Sequence, residues 1–133
     1  MSPRQIASRA RPAKEDLWAS FAHAWEGLRF VLSFERNARI HLLAALLVVA
    51  VGFWLRLERI EWALVLFAVG IVFISEMLNT VVELVIDLVT QEHLPLAKYA
   101  KDVAAGATLV AALVAALIGL LILGPKLWLK LGL

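Results

Sequence analysis

Residues 75–102 read SEMLNTVVELVIDLVTQEHLPLAKYAKD, and the fold follows from them. It sets Glu76, Asn79, Glu83 and Asp87 in a segment that is otherwise almost wholly apolar. At about 100° per residue on a helix these side chains fall at roughly 0°, −60°, −20° and +20°, with Thr80 at roughly +40°. They form one narrow polar stripe, and Met77, Leu78, Val81, Leu84, Val85 and Ile86 cover the other faces. Three carboxylates on one face repel one another and are costly to bury in an apolar medium. A chain tolerates them there when something positive is present: a metal ion, a proton or a basic partner.

Composition says what that medium is. Hydrophobic residues make up 62% of the 133 residues and charged residues 18%, against roughly 45–50% and 25% in soluble domains. The excess points to a bilayer, and the length allows one domain. With no cysteine, disulfides and thiolate metal sites are excluded. His23, His41 and His93 are too scattered to suggest a zinc site. No cleavable signal peptide is expected, because no apolar run with a small-residue cleavage site follows the basic N-terminus. No nucleic-acid partner is expected.

Along the chain, residues 1–15 carry Arg4, Arg9, Arg11 and Lys14 without apolar periodicity and read as a flexible basic tail, suited to anionic headgroups. Residues 16–34 turn helical: Leu17, Trp18, Phe21, Trp25, Leu28 and Leu32 share an arc of about 100°. Two tryptophans on that stripe suit an amphipathic helix lying at the membrane surface. Three spans are expected after it, at about 39–56, 62–89 and 98–124. The uninterrupted run 42–55 is short for a crossing and is extended back through His41, with Arg39 snorkelling. His41 reads as interfacial packing, and Trp54 and Trp62 as aromatic-belt anchors beside the outer turn. The small residues 104–107 and the later alanines permit close helix packing. The fold class is therefore all-α integral membrane: a surface helix followed by three transmembrane helices.

Three crossings put the N-terminus and the 90–102 loop on one side. That side holds Arg4, Arg9, Arg11, Lys14, Arg29, Arg36, Arg39, Lys98 and Lys101, and the other only Arg56, Arg59, Lys126 and Lys130. The positive-inside rule makes the first side cytoplasmic. About 30 Å of hydrocarbon counted from Trp62 reaches roughly Val82, so Glu83 and Asp87 meet the interface and Glu76 lies about 10 Å deeper.

Glu35, Glu83, Asp87, Lys101 and Asp102 thus converge on one cytoplasmic rim. Paired carboxylates suit Mg²⁺, especially where phosphates supply further ligands, and a lysine beside them suits nucleotide phosphates. Glu76, in a drier setting, suits a general base acting on a group that lives in the membrane. No GxxxxGK[ST], HRD or DFG motif is present. A Mg-nucleotide site, a polar packing seam between small helices and an ion or proton path all remain open on spacing alone. Asp87 is equally suited to pairing with Lys98 or Lys101, and Arg36 and Arg39 to anchoring the topology.

The run Glu76-Met-Leu-Asn79-Thr80-Val-Val-Glu83-Leu-Val-Ile-Asp87 resembles the ExxN[ST]xxExxxD signature of the small bacterial diacylglycerol and undecaprenol kinases. Ala100-Lys101-Asp102-Val-Ala-Ala-Gly-Ala107 matches that family's second motif, and the resemblance covers about residues 20–125. It implies an integral-membrane lipid kinase of the bacterial cytoplasmic (inner) membrane. The enzyme would be a homotrimer with composite active sites, moving the γ-phosphate of ATP onto a lipid hydroxyl. By motif position, Glu76 is the expected catalytic base and Asn79 positions the reacting groups. Glu35 and Glu83 are expected to hold Mg²⁺, and Lys101 and Asp102 to bind nucleotide. Glu92 and His93 stand in the loop that contacts nucleotide in the family.

Glu35-Arg36-Asn37-x-Arg39-Ile40-His41 and Pro95-Leu96-Ala97-Lys98-x-Ala100-Lys101-Asp102 look more like the undecaprenol kinase branch than the proteobacterial diacylglycerol kinase branch. The expected acceptor is undecaprenol, giving undecaprenyl phosphate. The alternative is diacylglycerol, giving phosphatidic acid, and a more distant one is a non-enzymatic membrane oligomer or ion path. Asp16 and His23 stand where the second branch has a basic and an aromatic residue, and no nucleotide role is carried onto them.

Overall fold

The structure, a computed structural model, describes residues 17–132. The basic tail expected at 1–15, and Asp16, lie outside the described residues. Every regular element among the described residues is an α-helix: α1 (Leu17–Phe34), α2 (Arg36–Leu55), α3 (Arg59–Val89) and α4 (Pro95–Leu131). Two compact units divide between Phe30 and Val31. In the first, Trp18, Phe21 and Trp25 stand out from α1, each more than half exposed. This is the apolar stripe that the periodicity requires, and rings of this kind are at home among lipid headgroups.

The second unit holds the three long helices. At 1.5 Å per residue they run about 30, 46 and 55 Å, and all three are long and apolar enough to cross a membrane. Their ends follow from local chemistry. Glu35 alone separates α1 from α2; its backbone is extended and its side chain makes no capping hydrogen bond. Arg56 closes α2 in the left-handed region at φ 55°, donating its N–H toward the carbonyls of Gly52 and Phe53. Glu58 and Glu61 form a capping box at the start of α3, where the Glu58 N–H donates to Glu61 Oε2 at 2.7 Å. Pro95 opens α4 at a position where its missing N–H leaves no bond unmade.

α4 runs beyond the expected span, through Pro125 to Leu131. Proline inside a helix removes one N–H and crowds the carbonyl four residues back. Here contacts on both sides of it hold the helix in place. Leu123 and Leu127 pack on the core, Lys126 pairs with Glu61 at 2.9 Å, and Lys130 Nζ donates to the Trp54 carbonyl at 3.1 Å.

α3 and α4 pack most extensively, and α2 rests on both. The core changes character along its length. Near the 56–58 turn it is apolar: Leu55, Leu57 and Val65, with Val51, Trp62 and Ile122 against them. Toward the other end, here termed the acidic end, the buried groups are Glu76, Asn79, Thr80 and Thr108. Val65, Ala68, Val72 and Glu76 are buried in succession on α3, so the polar stripe continues the face that packs inward. Ser75 Oγ donates to Thr108 Oγ1 at 3.2 Å, a hydrogen bond between α3 and α4. Within the small-residue stretch at 104–107, Gly106 does not sit in a close helix contact within the chain. A Cβ placed on Gly106 meets nothing within 4 Å. Ala112, Ala116 and Gly119 instead line an apolar groove between the spans.

Gly52 does require its missing side chain. A Cβ there falls 2.9 Å from the Trp62 ring and 3.0 Å from Leu57, and Phe53 stacks tilted on the same ring at 4.8 Å. Gly52→Ala is expected to destabilise the α2–α3 turn by about 1–3 kcal/mol through overpacking. Thermal unfolding in detergent followed by circular dichroism measures this, and an unchanged midpoint would contradict it.

Candidate functional site

The acidic end is built from three helices, each supplying what its local sequence allows. α3 presents Glu76, Asn79, Glu83 and Asp87 at successive turns. The Asn79 amide donates to Glu83 Oε1 at 2.9 Å, and the Thr80 hydroxyl donates to the Glu76 backbone carbonyl at 3.0 Å. These bonds hold the stripe in register along the helix. Glu76 is 2% exposed, an ionisable group deep in a membrane-length helix.

α2 supplies the group that faces it. His41 Nε2 lies 3.2 Å from Glu76 Oε1, at ion-pair distance but not in the line of a hydrogen bond. Among the described residues, Glu76 Oε1 and Asn79 Oδ1 are therefore buried without a donor. Sequence alone suits His41 to interfacial packing; in the structure it faces the buried acid instead. The signal was present: His41 and Glu76 stand at comparable distances from the outer turn on antiparallel neighbours. A buried acid on one helix is matched by a base on the next.

Glu35, in the α1–α2 break, and Glu83 are both half-buried and within Coulombic reach of Glu76. Among the described residues no three His, Asp or Glu side chains are close enough to form a metal cage. The available donors are nevertheless hard oxygens: the uncapped Glu35 carboxylate, the Glu83 carboxylate and the orphaned Asn79 carbonyl. That donor set fits Mg²⁺, which takes few protein ligands and relies on phosphate and water for the rest.

One or two turns farther along, the 90–94 turn and the first turns of α4 form a cleft of about 630 Å³. Asp87, Glu92, His93, Lys98, Lys101 and Asp102 line it, so four of the residues expected to bind nucleotide share one cavity. The pairing of Asp87, open on sequence, is with Lys101 at 2.5 Å, and Lys98 pairs with Asp102 at 2.5 Å. Both pairs are exposed, and such pairs organise side chains more than they stabilise a fold.

The second cavity, about 460 Å³, is the apolar groove between α2, α3 and α4. Alanine, valine and leucine dominate its wall, and its polar tip is His41. A basic and acidic cleft, which includes α3 residues 86–87, and an apolar groove, which includes α3 residues 65–73, thus flank Glu76 along α3.

The sequence profile of prokaryotic diacylglycerol kinase matches residues 22–123. The chain belongs to this family. Among its relatives, the undecaprenol kinase of Bacillus subtilis is 46% identical over 81% of this chain and 88% of its own. The diacylglycerol kinase of Synechocystis is 38% identical over 88% and 71%, and that of Escherichia coli K12 is 36% identical over 70% and 76%. As a member of the prokaryotic diacylglycerol kinase family, the protein is a lipid kinase, and its three apolar helices make it a multi-pass membrane protein.

Asp87→Asn removes the carboxylate that holds Lys101 within the cleft. Its KM for the nucleotide donor is expected to rise by about 3- to 10-fold, or ~1 kcal/mol, with little change in unfolding temperature. Steady-state rates at varied nucleotide, alongside a melting curve, check both halves.

Proposed function

We propose that the protein transfers the γ-phosphate of ATP to the hydroxyl of undecaprenol at a site built around Glu76. The observation that carries this is the placement of a buried carboxylate between two unlike cavities. One is lined by Lys98, Lys101, Glu92 and His93 and suits a soluble nucleotide; the other is apolar and ends at His41, beside Glu76. An alcohol carried in the bilayer has a route to Glu76 that a water-soluble alcohol lacks.

In this reading Glu76 accepts the proton as the lipid oxygen attacks the γ-phosphorus. The new O–P bond forms as the bond to the bridging oxygen breaks, and ADP leaves. Asn79, fixed by its bond to Glu83, orients the reacting groups. Lys101 and Asp102 bind the nucleotide, with Glu92 and His93 closing the cleft over it. Glu35 and Glu83 would hold Mg²⁺, which when bound would neutralise charge on the triphosphate. Most of the catalysis comes from positioning and electrostatics.

Undecaprenol is favoured by the ERNxRIH and PLAKxAKD segments and by the relative named for that substrate. The relatives named diacylglycerol kinase favour the second reading, phosphorylation of diacylglycerol. The distribution of Lys and Arg favours an inner-membrane protein with its N-terminus and site on the cytoplasmic side. A homotrimer with composite sites is what the family resemblance implies, and it is favoured by the room left beside Gly106 on α4, where an added Cβ would meet nothing within 4 Å.

The test is phosphate transfer from labelled ATP by the detergent-purified protein with Mg²⁺, undecaprenol and diacylglycerol being assayed side by side. Label is expected in undecaprenol in preference to diacylglycerol. Glu76→Gln is expected to lower kcat by about 10²–10⁴-fold while leaving assembly intact. No transfer to either lipid, or a Glu76→Gln variant at the wild-type rate, would sink the reading.

A further inference from the structure

The acid assigned to catalysis is also the group that this fold has most difficulty accommodating. Glu76 is 2% exposed and its Oε1 has no hydrogen-bond donor. Glu35 and Glu83 add negative charge within Coulombic reach. Facing it from α2 is His41, whose Nε2 lies 3.2 Å from that same oxygen. Ala38, one turn earlier on α2, is fully buried, so helix packing fixes the place from which the imidazole reaches α3. The ring is only a quarter exposed and also forms the polar tip of the apolar groove. His41 therefore touches both the buried carboxylate and the space through which a membrane alcohol arrives.

We propose that His41 is a positioning residue for phosphoryl transfer. A small turn of the ring brings its Nε2–H, now 3.2 Å from Oε1 but out of line with it, into a bond that holds Glu76 there and leaves Oε2 toward the lipid hydroxyl at the tip of the groove. The inference rests on Glu76 being the base. A carboxylate in dry surroundings turns toward whatever donor is in reach, and among several rotamers only one accepts a proton from the incoming alcohol. A donor fixed on a neighbouring helix selects that rotamer before substrate arrives, and preorganisation of this kind acts on kcat rather than on binding.

The experiment uses the full chain in detergent–lipid micelles, with initial rates at varied ATP and varied undecaprenol for the wild type, Glu76→Gln, His41→Leu, His41→Gln and His41→Asn. His41→Leu fills the same space without a donor. Its kcat is expected to fall by roughly 10- to 100-fold, the scale of losing a group that orients a functional side chain, with both KM values within about 3-fold of wild type. Glutamine places an amide nitrogen about where Nε2 stands and should restore most of the rate. Asparagine falls short and should be as slow as leucine. Should leucine prevent assembly, the Gln and Asn variants, equal in polarity and different in reach, decide the matter.

Wild-type kcat in His41→Leu, equal rates for Gln and Asn, or a loss confined to KM would overturn the proposal. If wild type and Glu76→Gln behave as a kinase and its inactive variant while His41 is insensitive, only this inference fails. If Glu76→Gln retains the wild-type rate, the reading beneath it fails as well.

Discussion

A carboxylate placed inside a membrane-length helix must be matched or neutralised, and the acidic end of this molecule is arranged around that requirement. The cost of leaving one charge unpaired in such surroundings is several kcal/mol. α3 continues its buried apolar face directly into Glu76, which excludes water from it. α2 answers with His41 at ion-pair distance, and α4 contributes Thr108, bonded to Ser75 one residue before the acid. The three helices thus recognise one another at this end through polar groups, and at the other end through Trp62, Val65 and their apolar neighbours. The same seam that registers the helices also sets Glu76 at its depth.

That depth matters because the two substrates of a lipid kinase live in different media. The stripe on α3 acts as a ladder between them. Asp87 meets the cleft with Lys101, Glu83 is bonded to Asn79 partway down, and Glu76 sits at the bottom beside the groove. In the proposed reaction, a nucleotide approaching from water and an alcohol approaching from lipid would meet along this one row of side chains.

Most of this architecture was legible in the sequence because it rests on period and length. The polar stripe at helical spacing gave the inward face of α3, and three apolar runs gave the spans. Two motifs in order gave the family. What was not legible depends on pairing between helices. The partner of Glu76 was missed because His41 follows an arginine-rich junction and reads like part of it. The choice of Lys101 over Lys98 for Asp87 turns on side-chain reach across a cleft, which one-dimensional spacing leaves open. The passage of α4 through Pro125 was hidden for a similar reason. A local rule against proline is overridden by Lys126, Leu127 and Lys130, which gain partners only if the helix continues.

The measurement that bears most directly on this account is a double-mutant cycle on stability. The unfolding free energies of wild type, His41→Leu, Glu76→Gln and the double variant would be compared in one detergent. If His41 is what makes a buried Glu76 tolerable, its loss is harmful beside the carboxylate and mild beside glutamine, with a coupling of about 0.5–3 kcal/mol. Effects that add to within about 0.5 kcal/mol would show that the two side chains are indifferent to each other, and the organisation of the site would have to be explained without their contact.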